Sequence, residues 1–452
     1  MEAGPAPAAP LSHWSDLYRK EDWWAIWLAL GIIGVAMAFF FSGSTIKPIA
    51  VKPPVWTDFS TLGAHFADTW PWYLAQFVMW LTIFTFSVWI MGLNVKEYVP
   101  GFVILFLVAT FVFALSSWKT MKDYNMEAPL VALLLGLIVG NVFRLPKWLD
   151  TSFRTEYYIK TGIILLGATL PLTIIMRAGP LAFLQATIVS VTTFFTIFLV
   201  GARVLKLDRK FSATMGAGGS VCGVSASIAV GGAVKAHKDH LAISISLVTI
   251  WAIVMIFVLP IVCKSLRLDL GVAGAWIGTS EFADAAGFAA VQALSDTSEK
   301  AIRTFTLMKV IGRDIWIGLW SFALAVISVV YWERKDKSQA KVSPVEIWWR
   351  FPKFVLGFFA ASVIVSIISV AYSETAFDEF LKPRLIDPIK TLRSWTFVLT
   401  FLCIGFTTRF RELAKFGWQP LIAFTAGVAV NVPLGYLLSN VVFAKYWKGI
   451  AG

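Results

Sequence analysis

Met215–Val234 reads MGAGGSVCGVSASIAVGGAV. It has the length of about 20 residues that a helix needs to cross a hydrocarbon core. Yet Gly216, Gly218, Gly219 and Gly223 each weaken a continuous helix by about 1 kcal/mol relative to Ala, and Ser220, Ser225 and Ser227 place hydroxyls among them. The pattern predicts a helix that breaks inside a membrane. A break frees backbone N–H and C=O groups, which at that depth must face protein, water or a ligand. Half-helix N-termini there present positive dipole ends to an anion. The plainer alternative is a small-xxx-small packing face. It accounts for Gly231-Gly232 and less well for GAGGSVCG.

The rest of the chain supports a membrane setting. Of 452 residues, 58% are hydrophobic and 15% charged, with a mean hydropathy of +0.74. The apolar residues fall in long runs, and the 21 Trp and 10 Tyr cluster at run ends, as in Trp23-Trp24, Trp70-Pro71-Trp72-Tyr73, Tyr157-Tyr158 and Trp348-Trp349. That is the aromatic belt at headgroup depth. The expected fold is an all-α polytopic membrane protein with about 13 transmembrane segments by the length criterion. These lie near 23–41, 71–93, 98–118, 128–144, 157–176, 180–202, 211–234, 240–263, 270–293, 303–331, 353–372, 394–408 and 418–443. A β-barrel would show short alternating strands, which are absent.

The organisation reads as a tail (1–22), two N-terminal spans (23–97) and a first membrane half (98–263) that holds the broken helix 211–234. A second broken segment with its following span (264–332), a hydrophilic linker (333–349) and the last spans (350–452) complete it. A second linker covers 42–69, with Pro48, Pro53-Pro54 and Gly63. The first apolar run reads as a retained span rather than a cleaved signal. The net charge of +12 belongs to topology rather than to nucleic acid. Alternate loops, starting at the N-terminal tail, hold about 21 Lys and Arg against about 15 in the other set, which favours a cytoplasmic N-terminus.

An internal repeat is visible. Gly162–Phe183 reads GIILLGATLPLTIIMRAGPLAF, and residues 402–424 read LCIGFTTRFRELAKFGWQPLIAF. Gly167 pairs with Gly405, Thr169 with Thr407, Arg177 with Lys415, Gly179 with Gly417, and Pro180 with Pro420. An odd number of spans separates the copies, so the segment repeated from 157–199 crosses in the opposite direction. Inverted repeats of this kind build secondary transporters that alternate access to a midplane site.

Two more stretches carry charge inside apolar runs. GVAGAWIGTSEFADAAGFAAVQ (Gly271–Gln292) places Glu281 and Asp284 one turn apart on one helical face. An intramembrane carboxylate costs about 2.5–3.5 kcal/mol at a helix centre. The pair could therefore carry a coupling proton, or bind Na+ with oxygens from Thr279 and Ser280. The bland alternative is an interfacial amphipathic helix with solvated acids. MKVIGRDIWIGLW (Met308–Trp320) holds Lys309, Arg313 and Asp314. Lys309 and Arg313 share a face and suit an oxyanion, or else neutralise Glu281 and Asp284. The candidate anion site comprises Gly218, Gly219, Ser220, Gly223 and Ser225 with Lys309 and Arg313. The candidate coupling-ion site comprises Glu281, Asp284, Thr279 and Ser280.

No catalytic constellation accompanies them. The four His lie in the tail or loops, the three Cys (Cys222, Cys263, Cys403) form no CxxC, and there is no GxSxG, HExxH or P-loop. A non-enzyme with no cofactor and no bound metal beyond a possible Na+ is expected. A channel is a further reading, less suited than alternating access to broken helices with buried charge.

YYIKTGIILLG (157–167), MGAGGSVCGVSAS (215–227), AWIGTSEFADAAG (275–287), LMKVIGRD (307–314) and IGFTTRFRELAKFGWQPL (404–421), in that order, resemble the YeiH-type sulfate exporter family of conserved membrane proteins. That family is similar to the bile-acid symporter and Na+/H+ antiporter group. The resemblance implies a core domain whose discontinuous helices, here 211–234 and 270–293, cross and move against a scaffold or dimerisation domain. It implies a homodimer in a bacterial inner membrane that transports sulfate, sulfite or an organic sulfonate, coupled to H+ or Na+. Two departures stand out. Phe282 lies where the family commonly carries a histidine, so substrate or coupling ion is expected to differ, and spans 23–93 lack a counterpart in short members. The alternatives are a cation/proton antiporter without an anion substrate, and a non-catalytic membrane assembly subunit. The two broken segments would also run the same way, which an inverted pair should not, so one of them could be a re-entrant hairpin.

Overall fold

The computed structural model describes residues 15–123, 126, 128–169, 172–294, 299–332, 352–373, 376–408 and 417–450. The linker 333–349, Trp348-Trp349 and the repeat residues 409–416, Lys415 among them, lie outside these. The described residues are helical or in turns and connections, with one isolated bridge between Trp56 and Trp118. Among the described residues, seven helices are long and apolar enough to cross a membrane.

The helices that matter for the site are α1 (Glu21–Phe41), α2 (Phe59–Ile90), α3 (Val95–Ser116), α4 (Ala128–Val142), α5 (Thr155–Gly167) and α6 (Leu172–Leu199, extended by a π turn, Val200–Val204). Next come α7 (Arg209–Ser220), α8 (Val224–Ala233), α9 (Lys238–Ser265), α10 (Leu270–Ser280), α11 (Asp284–Gln292), α12 (Lys300–Thr306, continuing as a π-helix through Leu307–Arg313) and α13 (Trp316–Ile327). The last are α14 (Phe354–Val370), α15 (Asp387–Thr407, preceded by a π segment, Phe377–Ile386), α16 (Trp418–Leu437) and the short α17 (Ala444–Lys448).

Side-chain contacts assign the chain to two sides. On the side where α1 begins, the near side, Glu21 pairs with Arg154, and Asp22 pairs with Lys160 at 2.8 Å and accepts from the Lys353 amide at 3.3 Å. Tyr98 and Tyr158 share a hydrogen bond there, Tyr157 donates to Ser87, and Asn141 donates to the Thr408 carbonyl. On the far side Phe40 packs on Tyr372 and Phe380, and Arg393 joins Thr169 to Glu299. Tyr157 and Tyr158 are thus interior hydrogen-bonding residues, not part of a headgroup belt. Trp27, Trp70 and Trp72 are exposed, as belt residues are. The linker expected at 42–69 is shorter, because Asp58 caps α2 through the Thr61 amide and the helix starts at Phe59.

The buried centre is α15. In its apolar window 78% of residues are enclosed, against 33–44% in the other six long helices. Glycine lets neighbours approach it: a Cβ on Gly405 would meet Gly136 of α4 at 2.6 Å, and one on Gly162 of α5 would collide with Thr396 and Phe397. The helices α5 and α15 run antiparallel. So do α6 and α16, with Gln185 bonded to Ser439 and Thr193 to Asn431. These are the helices that carry the two copies of the sequence repeat.

Neither broken segment crosses. In the first, a Cβ on Gly218 would meet the Ser227 hydroxyl and one on Gly231 would meet Thr214 at 3.3 Å, so α7 and α8 lie antiparallel. In the second, Gly274 and Gly278 of α10 pack on Ala301, Thr304 and Met308 along α12 in parallel order. The returning α11 passes Phe305 with Gly287 and Phe288. Both segments are re-entrant hairpins. The helix α9, 28 residues and about 42 Å long, carries the chain from the base of one to the base of the other. The first hairpin therefore enters from the near side and the second from the far side. Each is started in the same way: Asp208 accepts from the Phe211 amide and Asp269 from the Gly271 amide, both at 2.9 Å.

Candidate functional site

The hairpin tips, residues 221–223 and 281–283, meet. Gly223 has φ +78°, and a Cβ there would lie 2.6 Å from the Phe282 carbonyl oxygen. Glycine serves this position twice over, through its left-handed backbone and through the close approach. The first hairpin turns later than its glycine content suggests. Gly216, Gly218 and Gly219 lie inside α7, where Phe194, Ser227, Val248, Ile197 and Phe424 pack against them. They fill the role of packing residues.

Each tip ends one half-helix whose last carbonyls lack intrahelical partners. Two cations from the π-helical part of α12 meet them. Lys309 Nζ donates to the carbonyls of Val221 and Glu281, both at 2.8 Å. Arg313 Nε donates to Ser220 O at 3.2 Å, and its Nη1 to Gly278 O, Thr279 O and Glu281 O at 3.2, 2.7 and 2.9 Å. Ser190 of α6 adds a hydroxyl to Ser220 O. Both cations are fully buried and sit where the negative ends of two helix dipoles converge. The carbonyl partners lie outside the sequence expectations, whereas the expected counter-charge role is met in part, with Lys309 Nζ 3.8 Å from Asp284.

Glu281 and Asp284 do not share a helical face; they end α10 and start α11 on either side of the turn. Glu281 Oε1 accepts from the Phe282 and Ala283 amides at 2.9 and 3.3 Å, so this carboxylate occupies the donors that an anion would need. Asp284 lies 3.8 Å from Lys309 Nζ. Asp314, one residue beyond Arg313, is fully buried, and neither of its oxygens has a hydrogen-bond partner. One oxygen each of Asp284 and Asp314 and the Cys222 sulfur lie within 4.8 Å of one another. That set could hold a small cation or a shared proton. Thr279 and Ser280 turn their hydroxyls toward Gly435 of α16, so the Thr279 carbonyl, not its hydroxyl, joins the tip cluster.

Ser220 gives its carbonyl to Arg313 while its hydroxyl turns back on Ala217 O. Ser225, in the first turn of α8, donates to Glu156 of α5 at 3.3 Å. Ser225 lines a near-side cavity of about 560 Å³, walled also by Asp22, Glu156, Lys160, Val224 and Lys353; Ser220 is fully buried and does not reach it. A second cavity of about 360 Å³ opens by Gln292, Glu299, Lys390 and Arg393 on the far side. Phe288, with ring centroids 4.7 Å from Phe305 and 5.0 Å from Phe397, lies between that cavity and the tips.

The sequence singled out Asp314 without a role and gave Cys222 and Glu156 none. The spacing of Asp314 from Lys309 held a signal, since a third ionisable group in one apolar run is costly unless used. Cys222 and Glu156 enter only through tertiary contact.

The family model described as Conserved hypothetical protein 698 matches residues 100–424. A UPF0324 membrane protein of Rhodopirellula baltica is 31% identical over 98% of this chain and 93% of its own length. The chain belongs to the UPF0324 family of membrane proteins. A member from Nitrosomonas europaea is 30% identical over 94% of this chain and 95% of its own. One from Streptococcus agalactiae is 27% identical over 72% of this chain and 92% of its own, so shorter relatives exist. No solved structure matches the chain.

Proposed function

We propose that this protein is a secondary active transporter of a small anion of the sulfate, sulfite or organic sulfonate class, driven by H+ or Na+. The observation that carries the reading is the meeting of two re-entrant hairpins, from opposite sides, at a buried charged cluster with a cavity on each side. Transporters bind substrate and coupling ion where discontinuous helices meet near the midplane. The antiparallel pairs α5/α15 and α6/α16 suit an inverted repeat, and two of the thirteen candidate spans become re-entrant. The near side, with most of the basic loops, is assigned to the cytoplasm.

The anion set contracts to the first turn of α8 with Gly223 and Ser225, and to Arg313, whose Nη2 is buried without a hydrogen-bond partner. The three carboxylates at the tips also favour a second reading, cation/proton antiport with no anion. A thermal-shift screen of sulfate, sulfite, thiosulfate and taurine, each in sodium and potassium buffers at two pH values, separates the two. Stabilisation by one of these anions, lost in Arg313→Lys, is the expected result. A response to cations and pH with none to any anion selects antiport.

A further inference from the structure

Five backbone carbonyls freed at the two breaks, those of Ser220, Val221, Gly278, Thr279 and Glu281, all accept hydrogen bonds from Lys309 or Arg313. In transporters built from discontinuous helices, unwound carbonyls and half-helix C-termini are the groups that coordinate a sodium ion. We infer that Lys309 is a tethered cation occupying the place of a free sodium ion between the hairpin tips, and that the ion exchanged here is a proton carried by Asp314 with Asp284. The inference rests on the transporter reading for its coupling role, not for the cation position.

The chemistry of the remaining groups agrees. An ammonium with two carbonyls at 2.8 Å and one carboxylate at 3.8 Å has the oxygen surroundings of a bound monovalent cation. A free cation added among Cys222, Asp284 and Asp314 would lie beside both Lys309 and Arg313, and like charges at such range repel strongly. The charged and titratable groups around Lys309 are Arg313 and Asp314 on its own helix, Glu281 and Asp284 on the second hairpin, and Cys222 on the first. Glu156 of α5 acts on Asp284 and Asp314 from farther off. The face of α6 against Gly312 is apolar, at Ala182 and Ala186. Three carboxylates thus meet two cations. Among the described residues, neither Asp314 nor Asp284 receives a hydrogen bond, but Asp284 is partly exposed and 3.8 Å from Lys309, whereas Asp314 is fully buried, and a buried carboxylate without donors is costly unless it carries a proton itself.

Thermal unfolding of the purified protein, with saturating sodium chloride against choline chloride at equal ionic strength, reads the cation position directly. The wild-type midpoint is expected not to move. Lys309→Ala leaves two carbonyls facing a vacated site, and sodium should raise its midpoint by several degrees, as a ligand bound only to the folded state does. A sodium-dependent rise in the wild type, or a folded Lys309→Ala that ignores sodium, overturns the tethered cation. If Lys309→Ala fails to fold, the wild-type result and Asp314→Asn still decide. Wild-type stability should vary with pH in sodium-free buffer, and Asp314→Asn should flatten that profile. An unchanged profile overturns the proton assignment. Neither readout uses an anion, so failure of the anion screen leaves both results standing.

Discussion

At the scale of single residues, Glu281 does two jobs in one turn. Its carbonyl accepts from Lys309 and Arg313 while its carboxylate accepts from the next two amides. Glu281→Ala is expected to lower stability by about 1–3 kcal/mol, because two buried N–H groups lose their acceptor. Glu281→Gln keeps an acceptor and should lose much less, and denaturation of both variants in the same detergent checks the difference. Gly223 is the more constrained position. Gly223→Ala adds a methyl against the Phe282 carbonyl at a backbone conformation that disfavours side chains. It should separate the tips, abolish transport and lower the melting point together. Gly219→Val, by contrast, should act as an overpacking substitution against Ile197 and Phe424. The measurable distinction is a fall in stability that is the same with and without ligand.

At the scale of elements, the hairpins rest on short caps and small residues. Asp208 and Asp269 start the entering helices. Gly218 and Gly231 let the first hairpin fold back on itself, and Gly274 and Gly278 let the second lie along α12. The π-helical turn of α12 changes the register of its side chains, which delivers both Lys309 and Arg313 to the tips. Re-entry has a direct consequence for labelling. Arg209→Cys and His237→Cys should react with a membrane-impermeant thiol reagent from one side, and Lys264→Cys from the other. Labelling of positions 209 and 237 from opposite sides would restore a crossing segment.

For the whole molecule, a cavity lies on each side, the near one reaching Ser225 and the far one separated from the tips by Phe288, Phe305 and Phe397. Ser225→Cys should react from the near side only, and a transported anion should slow the reaction by occupying the same turn of α8. The near-side network of Asp22, Lys160 and Glu156 links α1 and α5 to the first hairpin through Ser225. Its partial exposure limits each pair to a modest contribution. Its effect is expected in transport rate, measured with Lys160→Met, more than in stability. Treating both hairpins as crossings moves only Lys235, Lys238, Lys264 and Arg267 between sides, two each way. The basic-residue asymmetry therefore survives that misreading.

The amino-acid sequence by itself established the membrane class, most helix positions and the polar stretches around 215–234, 271–292 and 308–314. Apolar length, glycine content and charge within an apolar run are local properties, readable residue by residue. It could not establish whether a broken helix crosses or returns, because the local residues that break it at 221–223 or 281–283 serve either path equally. Nor could it show what Lys309 and Arg313 bind. Their partners are backbone carbonyls as many as 93 residues away, and every residue carries a carbonyl. Only the packing of α12 between the two tips selects which of them the cations reach.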